Sequence, residues 1–301
     1  MNNFDNLKHV PSSITYLSTK LNEGNIVLFL GAGASRGFGL PNWVELVNGI
    51  RKNVLLDPIP TSATAQDLQL GADEILDELK GDSEKLISLI ETELYQNFDK
   101  LSMVDAFNNH LLVSISAMLM GSKRGRVTRV ITLNYDSMLE WFLSLFGFVV
   151  KTVHSLPDLE GSEDVRIYHP HGFVPIPNNG MVASDFIILG MDSVNKRLGT
   201  PGNPWFEMTR HILNSGLCLF IGMSENTLLD SALAPLFKTC GDACISTRPL
   251  GLWLLGSSIH SSKERAFERN NIVPIVLNSH DEIPEYLLKI CQGASNLLNK
   301  K

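Results

Sequence analysis

Short apolar runs recur along this chain, and most of them are separated by stretches with the spacing of helices. The first run, residues 25–30, is nearly all apolar and ends at Gly31. A short run without polar alternation predicts a strand that is buried on both faces of a parallel sheet. Similar runs span residues 127–133, 148–153, 217–221, 250–255 and 272–277. The alternation predicts an α/β fold, a doubly wound, Rossmann-like parallel sheet with helices on both faces.

Two segments do not fit a minimal alternating sheet. Residues from about 54 to 125 contain apolar helical faces and no convincing strand, and residues from about 155 to 202 are rich in Pro, Gly and Asn. A length of 301 residues allows one large domain or two modest ones, at roughly 150 residues per domain. We expect a single domain over residues 1–301, with a smaller helical insertion subdomain in the first segment and an irregular, cleft-lining lobe in the second.

Charge and hydropathy narrow the classes of function. A formal net charge of -7 argues against a protein that binds nucleic acid unaided, because affinity for the phosphate backbone comes from Lys and Arg. The first residues lack the charged segment and apolar segment of a signal peptide. The longest apolar stretch is far shorter than the ~20 residues that span a bilayer. We therefore expect a cytoplasmic protein with no membrane association.

The cysteines do not predict a disulfide framework or a metal site. Cys218, Cys240, Cys244 and Cys291 are few and scattered for a chain of this size. Cys240 and Cys244 would share a helix face, but no second Cys or His pair completes a zinc tetrahedron. We expect reduced thiols and no metal.

A glycine-rich turn follows the first predicted strand, with the sequence Gly31-Ala32-Gly33-Ala34-Ser35. Such a turn lets a pyrophosphate approach backbone N–H groups and the N-terminus of a helix. A Gly-x-Gly pair after a strand also serves as a simple tight turn, so the turn alone does not decide between the two. The loop that follows, up to an expected N-cap at Asn42, either closes over a ligand or is a static connector.

Polar residues follow three other predicted strands. Asn134 and Asp136 emerge after the 127–133 run, at the sheet edge where open α/β sheets bind ligands, although either could instead cap the next helix. His171 precedes Gly172 near a strand end, and histidine suits proton transfer near neutral pH. His154 and His169 are interpreted as structural. Gly222 and Ser224 follow the 217–221 run, where Ser224 either donates to a ligand oxygen or caps the next helix.

Together these motifs resemble the NAD-binding domain of the sirtuins in order and approximate spacing, from about residue 26 to residue 230. They are Gly31-Ala32-Gly33-Ala34-Ser35, Gly39-Leu40-Pro41, Thr132-x-Asn134-x-Asp136, His171-Gly172 and Gly222-x-Ser224. The chain looks most like the sirtuin-like NADases of bacterial anti-phage defence.

The resemblance implies that NAD is the substrate and that its nicotinamide–ribose bond is cleaved. It implies a pyrophosphate contact at the first glycine turn, Asn134 and Asp136 beside the nicotinamide riboside, and His171 as the catalytic base. The NAD-binding residues that we expect are Gly31, Ala32, Gly33, Ser35, Pro41, Asn42, Gly222, Ser224 and Asp230. Because an unregulated NADase would harm its own cell, we also expect gating by homo-oligomerisation or by a companion defence protein, an ATPase or a nuclease.

Two departures from the sirtuin pattern bear on the reaction. Protein deacetylases of the family carry two Cys pairs after the catalytic His, and this chain has none between His171 and Gly222. Its loop reads Gly39-Leu-Pro-Asn-Trp-Val where deacetylases have Gly-Ile-Pro-Asp-Phe-Arg. Deacylation of proteins is therefore the weaker alternative. A sensor that binds NAD or ADP-ribose without turnover is a second alternative, and a Rossmann dehydrogenase lacks the acidic residue expected after a second strand.

Overall fold

A computed structural model describes residues 4–60, 63–98, 103–120, 127–159, 161–230, 233–244 and 248–298. Seven strands occur in these ranges, β1 Ile26–Leu30, β2 Arg129–Thr132, β3 Val150–Val153, β4 Val165–Tyr168, β5 Leu217–Ile221, β6 Gly251–Leu255 and β7 Ile272–Val276. The helices before β2 are α1 Val10–Glu23, α2 Trp43–Asn53, α3 Ala65–Glu78, α4 Ser83–Tyr95, α5 Met103–Asn108 and α6 His110–Met120. The later ones are α7 Met138–Leu145, α8 Met191–Val194, α9 Pro204–Asn214, α10 Leu233–Ala243, α11 Ser261–Arg269 and α12 Ile283–Leu298.

The strands form one parallel sheet in the order β3-β4-β2-β1-β5-β6-β7. The predicted doubly wound α/β fold is confirmed. Strands β2, β3 and β4 lie on one side of β1 and β5, β6 and β7 on the other, so the strand order reverses beside β1. Open α/β sheets bind ligands outside the carboxyl ends of their strands at such a reversal. Gly31 follows β1 at this position.

Strand β1 is buried along its whole length, as its apolar sequence predicts. Its residues alternate between two apolar cores because successive side chains of a strand point to opposite faces. Leu28 belongs to the core on one face and Phe29 to the core on the other. This double burial explains why the strand lacks the polar alternation of a half-exposed strand.

The helices between residues 65 and 120 pack into the same core as one face of the sheet. Ile75 of α3, Ile90 of α4 and Ile115 of α6 are fully buried and belong to the apolar cluster that contains Leu28. The described part of this segment contains helices and no strand, in line with the expected helical insertion.

The segment from 155 to 202 differs from the expected irregular lobe, because β4 lies inside it and pairs with both β2 and β3. The sequence does not indicate that β4 is largely buried, because the charged residue Arg166 interrupts its apolar residues. The guanidinium of Arg166 forms ion pairs with Asp158, at 3.2 Å, and with Glu163. A charge is tolerated in a central strand when it is paired in this way.

Candidate active site

Two glycines, Gly33 and Gly222, bring the turn after β1 against the turn after β5. The N–H of Gly33 donates to the carbonyl oxygen of Gly222 at 2.9 Å. A Cβ atom on Gly33 would lie 2.8 Å from the Cα of Gly222, and one on Gly222, whose φ is +70°, would lie 2.5 Å from the nitrogen of Ala34. Side chains would force these two turns apart. The close approach therefore explains two of the glycines, with the phosphate-binding role still a prediction.

Asn134 connects the end of β2 to the glycine turn. Its Nδ2 donates to the carbonyl oxygen of Gly31 at 3.2 Å and to Oγ of Ser35 at 3.1 Å. The Ser35 hydroxyl donates in turn to Oδ1 of Asp136 at 3.0 Å. Oδ1 of Asn134 has no hydrogen-bond partner among the residues that the structure describes. The side chain is thus oriented by its amide nitrogen, which leaves its oxygen available to accept a hydrogen bond from a ligand hydroxyl or a water.

Asp136 orients this group of residues and also caps a helix. Its Oδ1 accepts a hydrogen bond from the backbone N–H of Met138, the first residue of α7, at 3.1 Å. Burial raises the pKa of Asp136 to about 6, against the opposing effect of its hydrogen bonds from Met138 and Ser35. Asp136 therefore holds Ser35 in place and is not free to act on a ligand through the same oxygen.

His171 lies next to the end of β2, and its ring is not fully used by the protein. The backbone of Leu133, the residue before Asn134, lies close enough to the ring to raise its pKa slightly, while Nε2 is buried without a partner among the described residues. Burial lowers the pKa of His171 to about 4, Asp230 acts in the opposite direction, and the positive charge of Arg197 lowers it further. The imidazole is therefore neutral at pH 7 and can accept a proton.

Gly172 allows the chain to turn directly after His171. Its φ is +106°, and a Cβ atom there would lie 2.8 Å from the carbonyl oxygen of Phe186. The carbonyl oxygen of His171 accepts a hydrogen bond from the N–H of Ile188 at 2.8 Å. These contacts fix the backbone on both sides of the imidazole.

The neighbouring His169 is fully buried and has partners on both ring nitrogens. Nε2 lies 2.7 Å from Oε1 of the buried Glu140, and Nδ1 lies 2.9 Å from the carbonyl oxygen of Asn134. Both ring nitrogens therefore bind protein groups, so neither is available to a ligand. The sequence interpretation of His169 as structural agrees with this arrangement, although the sequence did not indicate Glu140 as its partner.

The loop before α2 covers the outer side of this group. Pro41, Asn42 and Trp43 line a cavity of about 50 Å³ together with Ala32, Ser35, Asn134 and Asp136. The Asn42 side chain accepts a hydrogen bond from the N–H of Glu45 in a capping box. Its oxygen therefore caps α2, and contact with NAD stays a prediction. Pockets for ligands of drug size usually measure about 300–1,000 Å³. A dinucleotide would fit this cavity only if the loop moved outward.

The polar side chains after β5 form hydrogen bonds within the protein. The Ser224 side chain accepts from the N–H of Asn226 at 3.1 Å and caps a short 3-10 helix. Asp230 accepts from Nε2 of Gln69 at 2.7 Å and from the N–H of Leu233 at 3.0 Å. Asp230 is nevertheless close enough to His171 for its charge to raise the pKa of that imidazole. The structure therefore brings Asp230 to the histidine side of the site, while Ser224 acts as a cap.

Comparison with protein families matches the SIR2-like domain over residues 128–275. The chain is sirtuin-like. The matched segment contains Asn134, Asp136, His171, Gly222 and Ser224, while the first glycine turn precedes it and joins the site through β1. No curated protein matches the chain.

The match to a SIR2-like domain supports an NAD-related function in general and suggests an enzyme that uses NAD. Within the described ranges, no cluster of three or more His, Cys, Asp or Glu side chains could hold a metal ion. In the same ranges, no helix has both the length and the apolar character needed to cross a membrane.

Proposed function

We propose that this sirtuin-like protein is an NAD hydrolase that cleaves the nicotinamide–ribose bond to give nicotinamide and ADP-ribose. The observation that carries the proposal is the buried Nε2 of His171, which has no partner among the described residues. It belongs to a neutral imidazole close to the backbone of Leu133, the residue before Asn134. A histidine of this kind is suited to take a proton, and a neighbouring amide oxygen is suited to hold the hydroxyl or water that gives it.

Binding, positioning and proton transfer fall to different residues of the site. The turn at the carboxyl end of β1 receives the pyrophosphate with the N–H of Ala32, because the N–H groups of Gly33, Ala34 and Ser35 already donate to carbonyl oxygens of the protein. Asn134, oriented by Gly31 and Ser35, positions the ribose or the attacking water with Oδ1. His171 accepts the proton that the ribose hydroxyl or the water loses.

The bond between the ribose and nicotinamide breaks through an oxocarbenium-like transition state, which depends on this positioning. Asp136 acts only indirectly, by holding Ser35 and hence Asn134.

Release of nicotinamide from NAD tests the proposal. The hydrolase is expected to release nicotinamide and ADP-ribose in equal amounts, at the same rate with and without an acylated peptide. A deacylase would need the peptide. If calorimetry shows NAD binding but no nicotinamide appears, the protein is the sensor of the alternative interpretation.

The small cavity beside Asn134 supports gating of the activity. At about 50 Å³ it admits a dinucleotide only when the loop carrying Pro41 and Trp43 moves, so the purified protein releases nicotinamide at a basal rate set by that motion. We propose that homo-oligomerisation or a companion ATPase or nuclease moves this loop during anti-phage defence, so that NAD is depleted only on infection. Addition of the trigger should raise nicotinamide release without a change in the amount of protein.

A further inference from the structure

Arg197 is a buried cation close to the candidate active site. It lies in the π-helical turn Asn195–Gly199 that follows α8, a kind of turn often found at functional sites. The residue is 8% exposed. The carbon of its guanidinium lies 3.9 Å from the ring centre of Phe186 and 4.6 Å from that of Trp205. The aromatic rings cover the faces of the guanidinium, so its hydrogen-bond donors are directed from its edges.

Two of the three guanidinium nitrogens have no protein partner in the described part of the chain. Nε and Nη2 of Arg197 are buried without a hydrogen-bond partner among the described residues. No acidic side chain in those residues lies within 4.0 Å of the guanidinium. A buried guanidinium is costly unless an anion pairs with it, and burial alone lowers the pKa of Arg197 to about 9. Cation–π contacts with two rings do not satisfy the N–H groups.

Two histidines near Arg197 each have a ring nitrogen without a partner among the described residues. These nitrogens are Nε2 of His171 and Nδ1 of His154, both buried. The His154 ring stacks on Phe173, two residues after His171, and the charge of Arg197 lowers the pKa of each histidine. The backbone of Phe186 approaches Gly172, next to His171, so the ring that covers Arg197 belongs to the segment packed on the active-site histidine.

We propose that Arg197, with His154, forms a subsite for an oxyanion, the carboxylate or phosphate group of a second ligand that binds beside the nucleotide and next to His171. The planar donors of arginine match both groups and bind them in a bidentate manner. The pyrophosphate of NAD is a poor candidate for this position, because the proposed function assigns it to the glycine turn and places the ribose at His171. Anion binding at Arg197 does not depend on the proposed function. Only the conclusion that the anion belongs to a second ligand, and not to NAD, rests on it.

The experiment is a calorimetric titration of inorganic phosphate and, separately, of acetate into the full chain at pH 7.5. At least one of the two should bind the wild-type protein. Arg197→Gln should weaken that binding by about tenfold or more, and Arg197→Lys should weaken it less, because lysine keeps the charge but loses the planar donors. Arg265→Gln, which changes an exposed arginine of α11, should bind as the wild type does.

Two results would overturn the subsite. One is that neither phosphate nor acetate binds the wild-type protein, and the other is that Arg197→Gln binds the anion as tightly as the wild type. Either would mean that water fills the space. If Arg197→Gln unfolds, Arg197→Lys carries the comparison. Nicotinamide release is assayed separately, so Arg197-dependent anion binding without release would support the subsite while contradicting the hydrolase proposal.

Discussion

The hydroxyl of Ser35 donates a 3.0 Å hydrogen bond to Oδ1 of Asp136, across 101 positions of sequence. Both residues are more than nine-tenths buried. The bond joins the glycine turn after β1 to the polar residues after β2, and Asn134 donates to the same hydroxyl. Two motifs that are separately weak therefore form one connected group, in which Ser35 is the central residue.

Replacement of Ser35 by Ala tests this connection. The change leaves a buried carboxylate without one of its donors and frees the amide of Asn134. We expect a loss of about 1–3 kcal/mol in the free energy of unfolding. We also expect nicotinamide release to fall by about tenfold or more, because Asn134 loses its orientation. Thr92→Ala removes an exposed hydroxyl on α4 that bonds only to Ser88, and should change neither quantity appreciably.

His171→Ala should lower the rate of nicotinamide release by about 10²-fold or more while NAD binding is largely retained. The reason is that the alanine variant has no group to accept the proton. His211→Ala alters an exposed histidine of α9 and serves as the control. A His171→Ala protein that releases nicotinamide at the wild-type rate would show that the base has been assigned to the wrong residue.

The buried pair of His169 and Glu140 should contribute to stability. His169→Leu leaves the Glu140 carboxylate buried without its 2.7 Å partner. Breaking such a pair typically costs about 3–5 kcal/mol, which urea denaturation followed by circular dichroism would measure. The double variant with Glu140→Leu removes both polar groups and should recover much of that loss. Equal stability of the single and double variants would contradict this interpretation.

His171 and Asp136 should have opposite effects on stability between about pH 4 and pH 6. Burial lowers the pKa of His171 to about 4, so the unfolded chain binds more protons there and stability rises with pH through its unfolded value of 6.5. Burial raises the pKa of Asp136 to about 6 from an ordinary value of 3.8, so the folded chain binds more protons and stability falls as pH rises. The two dependences partly cancel.

Single substitutions should separate these two dependences. Relative to the wild type, Asp136→Asn should show a steeper rise in the urea midpoint from pH 4 to pH 6. His171→Gln should show a shallower rise or a fall. Parallel curves for all three proteins would mean that neither group titrates over this range.

The sequence predicted the sheet because its strands are buried on both faces and read as apolar runs. Asn134 comes directly after one of these runs, at the end of β2, so its place at the sheet edge could be predicted. His171 follows β4, which has no such run, and the roles of both residues stay predictions. The sequence did not predict β4 as a central strand, since Arg166 breaks the apolar pattern and the ion pair with Asp158 that allows its burial is formed only in the folded chain. Burial of Arg197 was equally hidden, because it depends on Phe186 and Trp205 packing against it.

The role of Asn134 in NAD hydrolysis is tested most directly by comparing nicotinamide release from NAD by the wild-type protein and by Asn134→Ala. Asn134 is oriented by two hydrogen bonds from its amide nitrogen, and its oxygen has no partner among the described residues. We predict equal amounts of nicotinamide and ADP-ribose from the wild type and a rate about 10²-fold lower from the variant. Release at the same rate from both proteins, or NAD binding without any release from the wild type, would contradict the account.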